Sequence, residues 1–358
     1  MAVATRNRKS GWHVSRAMSA KRKKSPPKLR YSDDAVPGIT RKRAGRAWAY
    51  LDAKGKRITD RDEIDRLNKV GLPPAYKNAW FCPTANGHIL ATGIDDKGRK
   101  QYRYHPGYRA RQDAEKFDGC IDFGKRLAKL RKQVEVDLGD RALSRDRAVA
   151  NVIRLLDLGV VRVGNESYAK ANKSFGATTL RRRHATVSGQ TVKLRFKAKS
   201  GKLCEVAVTD RRLAHFVRKM DDLPGQHLFQ YINGDGEPHP VGSDDVNDYL
   251  RKTMRGDFTA KNFRTWHASA IGFELLARAK GQLTIKALSE GVAERLGNTP
   301  TIARQSYIHP AVLALVERQA KWRAKLKLPR KTKWLSGAER GLIDLLEKSP
   351  GAEELLAA

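Results

Sequence analysis

Five polar side chains in the second half of this sequence have the types needed to break and remake a phosphodiester. Arg162 lies in VRVGNESY, Lys199 in FKAKSGK, Arg264 in KNFRTWH, Asn298 in LGNTP and Tyr307 in RQSYIHP. Two guanidiniums can donate paired hydrogen bonds to non-bridging oxygens, where charge grows in a pentacoordinate transition state. An ammonium can protonate a leaving alkoxide, and an amide adds a neutral donor. A phenol can attack phosphorus and hold the phosphate as an ester, which keeps the energy of the broken bond so that a strand reseals without ATP. A phenol with a pKa of about 10 is a weak nucleophile near neutrality, so neighbouring cations must favour its phenolate.

Local spacing separates these residues from ordinary surface groups to different degrees. Arg162 closes an apolar helix and precedes Val163-Gly164, and Arg264 has Phe263 and Trp266 beside it, aromatics that a purely solvated face would not carry. Lys199 shares a hairpin tip with Lys197 and Lys202, and spacing alone does not choose among the three. Asn298 follows Gly297, where an asparagine is commonly no more than a helix cap.

The elements that must position these groups can be read from pattern. Residues ~31–110 read as a small β-rich domain. RAWAY and KRITD flank the turn Ala53-Lys54-Gly55 as a hairpin, Asp60 and Glu63 open a short helix in the manner of a capping box, and Asn86-Gly87 turns into HILATG. Asp96-Lys97-Gly98 leads to RKQYRYH, where alternation puts Lys100, Tyr102 and Tyr104 on one face and Gln101 and Arg103 on the other. Cations interleaved with aromatics and an amide suit a duplex, the cations meeting phosphates and the rings and amide reaching sugars or base edges.

Residues ~111–330 read as mostly helical. Ser144 caps a helix whose Val149, Val152, Ile153 and Leu156 recur at helical spacing. Three strands at ~183–188, ~191–197 and ~203–208 form a small sheet, and helices resume at ~210–220, ~244–255, ~260–280 and ~284–296. Gly297 suits the end of the last, and Thr299-Pro300 the start of another. Beyond ~331 one helix is expected, capped by Ser336 and Glu339. The fold class is thus α+β.

Lys and Arg number 72 against 38 Asp and Glu, a formal charge of +34 in 358 residues. That excess points to a polyanionic partner. No apolar run reaches the ~18 residues of a membrane span. Cys82, Cys120 and Cys204 are scattered without zinc spacing, which predicts a reducing compartment and no structural metal. Carboxylates are not clustered as two-metal chemistry requires, and no GxxxxGK[ST] loop is present. Residues 1–30 carry ten Lys or Arg and no acid; they read as a disordered basic tail, either a DNA-grazing arm, a nuclear signal at KRKK or an organelle transit segment.

Taken in order, NGHILATG, KQYRYHP, RVGNESYAKANKSFGATTL, KSGK, LPGQHLFQY, TAKNFRTW, LGNTP and RQSYIHP resemble the type IB DNA topoisomerases in their short bacterial and poxvirus-like form. The resemblance covers about residues 31–330 and leaves out the tail 1–30 and the segment 331–358. It implies a small clamping domain at 31–110 and a helical catalytic domain at 111–330 that close, as a monomer, around duplex DNA. It further implies that Arg162 and Arg264 are the catalytic arginines, Lys199 the general acid, Tyr307 the nucleophile and Asn298 the phosphate-binding residue, with Lys100, Gln101, Tyr102, Arg103, Tyr104 and Tyr168 meeting DNA. No cofactor or metal is implied, and the expected location is a bacterial cytoplasm, at the nucleoid. The family commonly has Gly at Ala198 and Asp at Asn262, departures expected to loosen the Lys199 turn and the Arg264 helix slightly. The alternatives are a tyrosine recombinase or integrase, which usually carries His where this chain has Lys261, and a DNA-packaging protein without catalysis.

Overall fold

The computed structural model describes residues 28–357, so all of the basic tail but Lys28, Leu29 and Arg30 lies outside the described residues. Lys28 and Arg30 are tied in place. Asn86 Nδ2 donates to the Lys28 carbonyl at 3.0 Å, and His88 N donates to the Arg30 carbonyl at 2.8 Å. The chain divides into two compact units, one ending at Arg109 and the other beginning at Ala110.

The first unit is an antiparallel sheet of β1 (Ile39–Ala44), β2 (Ala47–Leu51), β3 (Lys77–Phe81), β4 (Ile89–Ile94) and β5 (Lys100–Tyr104), in the order β2-β1-β3-β4-β5. One helix, α1 (Arg61–Lys69), follows β2. The expected hairpin of RAWAY with KRITD forms only at its tip. β2 pairs with β1 from Thr40↔Leu51 to Ala44↔Ala47, and KRITD makes only the bridge Leu51↔Arg57. The reason is local: KRITD runs straight into Asp60, which caps α1 by accepting from Asp62 N. The capping box also stays open, because Glu63 turns instead to Arg66 in a bidentate pair at 2.6 and 2.7 Å. Ile39, Tyr50, Leu67, Phe81 and Ala91 form the small core.

The second unit is helical around one small sheet. A 32-residue helix, α2 (Pro106–Asp137), leads into α3 (Arg145–Gly159), capped by the Ser144 hydroxyl, and α4 (Glu166–Asn172), capped by Asn165. Then come β6 (Ala185–Ser188), β7 (Thr191–Lys197) and β8 (Leu203–Thr209), paired in that order, followed by α5 (Arg211–Lys219). On β7, Val192, Leu194 and Phe196 are buried while Lys193, Arg195 and Lys197 are exposed, as alternation requires. A short pair, β9 (Gln230–Ile232) and β10 (Pro238–Pro240), precedes α6 (Ser243–Met254), α7 (Ala260–Arg278), α8 (Ile285–Leu296), α9 (Pro300–Ser306) and α10 (Pro310–Lys325). The segment after 331 holds two helices rather than the one expected: α11 (Gly337–Glu347), closed by a Ser336–Glu339 capping box, and α12 (Ala352–Ala357). α12 is too short for a periodic signal. Its Ala352 is fully buried with Ala114 and Phe117, a contact invisible to local pattern.

The turn after α3 sets the direction of Arg162. Val160 has φ 52°, a left-handed conformation that a β-branched residue rarely adopts. The next residues lie against Phe175–Thr179: Ala177 N donates to the Arg162 carbonyl at 2.8 Å and Thr178 N to the Val163 carbonyl at 2.7 Å. The approach is so close that a Cβ on Gly176 would stand 2.6 Å from both the Arg162 carbonyl oxygen and Gly164 N. Those are backbone atoms and cannot swing aside. Gly176→Ala is therefore expected to destabilise the chain by about 1–3 kcal/mol, as overpacking does; urea unfolding midpoints measure it, and an unchanged midpoint would show that this turn tolerates displacement.

Candidate active site

Four of the five polar residues line one cleft of about 720 Å³: Arg162, Lys199, Arg264 and Tyr307. Each arrives on a different element. Arg162 follows α3, Lys199 begins the Lys199–Gly201 turn between β7 and β8, Arg264 projects from the first turns of α7, and Tyr307 ends α9. Asn298 lies behind the two arginines, in an adjoining depression of about 300 Å³ that they also line.

Arg264 is buried and held by three oxygens. Its Nη1 donates to the Val160 carbonyl at 2.8 Å, and its Nη2 to the Leu296 carbonyl and Asn298 Oδ1, both at 3.0 Å. Arg162 Nη2 donates to the same Asn298 Oδ1 at 2.7 Å. One amide oxygen therefore fixes both guanidiniums, and the two donors determine which way the amide faces. Its Nδ2 is left buried and without a partner, as is Arg264 Nε. Asn298 thus holds the arginines with its acceptor and keeps a donor in reserve. Neither guanidinium has an ion pair with a described carboxylate.

The guanidinium carbon of Arg264 stands 5.0 Å from the centre of the Tyr307 ring. Burial raises the pKa of the Tyr307 phenol, but the charge and hydrogen bond of Arg264, followed by the charges of Arg162 and Lys199, outweigh it and leave the phenol below its ordinary value. Burial also lowers the pKa of Arg264, with Arg162 adding repulsion and Tyr307 opposing. The cleft is built to favour negative charge on the phenol oxygen. Beyond Tyr307 the backbone is held by Ser269, whose Oγ donates to the Thr265 carbonyl at 2.8 Å, accepts from His309 N at 3.0 Å and lies 3.4 Å from the Tyr307 carbonyl.

The structure distinguishes the three hairpin lysines by place. Lys199 lines the cleft with Tyr307, Lys197 stands on the outer face of the sheet, and Lys202 borders the depression behind the arginines. The two departures from the family pattern, expected to loosen the site slightly, both sit in ordinary backbone geometry. Ala198 has φ −88°, open to any residue, and the left-handed positions of the turn are Ser200 (φ 66°) and Gly201 (φ 74°). Asn262 supplies the same acceptor that an aspartate would, taking Thr259 N at 2.9 Å to cap α7.

Tyr168 also lines the cleft, on the first turn of α4. The other expected DNA-facing residues are on β5 of the first unit. Tyr102 and Tyr104 stack at 5.8 Å with 42% and 39% of their surface exposed. Lys100 pairs with Asp34 at 2.6 Å beside the Tyr102 ring; Gln101 donates to Asp95, and Arg103 to the Gly71 carbonyl. Sequence reasoning missed the continuation of this ladder. Tyr108 stacks on Tyr104 at 5.4 Å, His88 meets Tyr108 at 5.1 Å, and Tyr31, 77% exposed, tilts against His88 at 4.7 Å. The signal was an excess of rings in 31–108, but they come from three separate stretches that only the sheet brings together.

A β-rich unit followed by a helical unit with a tyrosine set against two arginines is the layout of a strand-transferring enzyme of the topoisomerase IB class. A family model described as eukaryotic DNA topoisomerase I, catalytic core, matches residues 105–329, and one described as bacterial DNA topoisomerase IB, N-terminal domain, matches residues 47–95. The DNA topoisomerase 1B of Acanthamoeba polyphaga mimivirus is 30% identical over 296 residues, 79% of this chain and 88% of that protein. The DNA topoisomerase 1B of Vaccinia virus is 22% identical over 292 residues, 76% and 90% of the two chains. The DNA topoisomerase 1 of Mycosarcoma maydis is 26% identical over 203 residues, 50% of this chain and 20% of its own. The chain belongs to the type IB DNA topoisomerases, a family of isomerases.

The electrostatics of the cleft make a direct prediction. Tyr307 should titrate below the ordinary tyrosine range, and Arg264→Ala should move that titration upward. NMR of tyrosines labelled with ¹³C at the ζ carbon, with Tyr307→Phe to assign the signal, measures this. A Tyr307 signal that titrates identically with and without Arg264 would contradict the arrangement.

Proposed function

We propose that the chain relaxes supercoiled duplex DNA by cutting and resealing one strand through Tyr307. The observation that carries this reading is the convergence of two guanidiniums, unpaired with any described carboxylate, on a tyrosine whose phenol they acidify. Such a site has excess positive charge at one point, and an anionic phosphodiester fits it.

In the forward step the Tyr307 oxygen attacks phosphorus, giving up its proton to water, and the bond from phosphorus to the 5′ oxygen breaks. Lys199 gives the leaving oxygen a proton. The products are a 3′-phosphotyrosine ester and a free 5′ hydroxyl. Arg162 and Arg264 donate to the non-bridging oxygens as their charge grows, while Asn298 holds both arginines and offers Nδ2. One phosphodiester replaces another, so the reverse attack by the 5′ hydroxyl reseals the strand without an energy source. While the strand is open the free end swivels, which removes positive and negative supercoils alike. Tyr102, Tyr104 and their neighbouring rings meet the duplex from the first unit, Tyr168 from the second, and a monomer closes on the DNA as a clamp. A bacterial nucleoid is the setting this activity fits.

Two experiments test the reading. Plasmid relaxation should proceed in EDTA without ATP, denaturing gels should show a protein–DNA adduct, and Tyr307→Phe should abolish both while leaving duplex binding intact. A requirement for magnesium or ATP, or an adduct that survives in Tyr307→Phe, would refute it. Lys199→Ala should slow cleavage by about 10²–10⁴-fold, the usual worth of a positioned acid. A substrate with sulfur at the 5′-bridging position, whose leaving group needs no proton, should recover most of that rate. If Lys202→Ala shows that rescue instead, the acid is Lys202.

A further inference from the structure

The match to the catalytic core ends at residue 329, yet the segment that follows reaches the elements directly behind the site. Arg131 on α2 commits every N–H of its guanidinium. Nε and Nη2 donate to Asp157 of α3 at 2.7 and 2.9 Å, Nη1 and Nη2 to Glu339 of α11 at 3.0 and 2.8 Å, and Nη1 also to the Trp334 carbonyl. Asp157 precedes Val160, whose carbonyl holds Arg264, by three residues, and Arg162 by five. Its Oδ1 also lies 3.1 Å from His267 Nε2, while Glu339 Oε1 accepts from Trp266 Nε1 at 3.3 Å. Trp266 and His267 are two and three residues past Arg264 on α7. One part-buried guanidinium, through the two carboxylates it holds, therefore joins the helix leading to Arg162 and the helix bearing Arg264, and more than half of its bonds come from residues 334–339.

A second tie runs to the tyrosine. Ala352 N donates to Asp118 Oδ1 at 2.8 Å, and Ala352 packs on Phe117, whose ring meets His309 edge-on at 5.5 Å. His309 caps α10 two residues past Tyr307.

We infer that residues 331–357 are an internal brace for the reaction, and that Glu339, acting through Arg131, is a positioning residue that fixes Arg162 and Arg264 against Tyr307. The role in catalysis rests on the function proposed above; the mechanical role does not. A clasp serving stability alone would lower the unfolding temperature without changing the rate of the folded enzyme. A brace controls that rate.

The test uses the full chain with Glu339→Ala and Glu339→Gln, well below the unfolding midpoint of each. Cleavage is followed in single turnovers at saturating duplex, and duplex affinity in the Tyr307→Phe background. Amide hydrogen exchange is followed over 160–164 and 263–267. Glu339→Ala is expected to slow cleavage by about tenfold or more, as a small misplacement of reacting groups does, with affinity unchanged and exchange raised in both stretches. Glu339→Gln, which keeps the acceptor for Trp266 and Arg131, is expected to recover part of the rate, and it decides the matter alone if the alanine variant does not fold. Cleavage at the parent rate, or unaltered exchange in both stretches, would overturn the brace. A parent chain that forms no adduct would instead refute the proposed function, and the exchange measurement would still decide the brace.

Discussion

The geometry of the site depends on holding two like charges beside each other. The nearest nitrogens of Arg162 and Arg264 lie 2.7 and 3.0 Å from one amide oxygen of Asn298, which puts them within hydrogen-bonding reach of a common point. Like charges held this near each other repel. The fold opposes this repulsion with fixed oxygens rather than carboxylates: the Asn298 amide, the Val160 carbonyl at the end of α3 and the Leu296 carbonyl at the end of α8. Carbonyls orient the guanidiniums without cancelling their charge. The strain at Val160, of order 1–3 kcal/mol for a side chain in this backbone region, aims that carbonyl at Arg264.

The same excess of charge acts on the tyrosine. A half-buried phenol would ordinarily resist ionisation, and here the nearby cations reverse that tendency. An incoming phosphodiester would share the positive field with the phenolate, so charge that is costly to assemble becomes useful when the reacting anions arrive. The first unit works by other means. Its exposed rings on β5, with Tyr108, His88 and Tyr31, present flat apolar faces, while Lys100, Arg99 and Arg103 on or beside that strand are engaged with Asp34, Asp95 and the Gly71 carbonyl. The second unit concentrates charge around Tyr307; the first presents rings.

Much of this was legible in the sequence because the decisive signals are local. The α3 cap at Ser144, the three strands of β6 to β8, the end of α8 at Gly297 and the start of α9 at Thr299-Pro300 each follow from a few neighbouring residues. Ordered motifs carried the membership of the family. What could not be read depends on contacts between distant residues. The pairing of β2 with β1 was missed because a nearer segment had suitable composition, although it runs into a helix cap. That Lys199 lines the cleft with Tyr307 while Lys197 and Lys202 border other depressions depends on how the turn lies, which spacing does not give. The Asn298 amide looks like an ordinary cap until both arginines are seen to share it. The network of Arg131, Asp157 and Glu339 spans more than two hundred residues and has no local signature.

The central claim is that the Tyr307 oxygen bonds covalently to DNA while the arginine pair holds the phosphate. The most direct measurement is mass spectrometry of tryptic fragments after trapping on a duplex whose 5′ product strand dissociates. Cleavage after Arg304 and Arg318 isolates the peptide QSYIHPAVLALVER, which contains Tyr307 as its sole tyrosine. The account predicts that this peptide carries the nucleotide, joined through a 3′ phosphate to Tyr307. A nucleotide on the peptide containing Tyr168, or on any other, or a 5′ linkage, would contradict it.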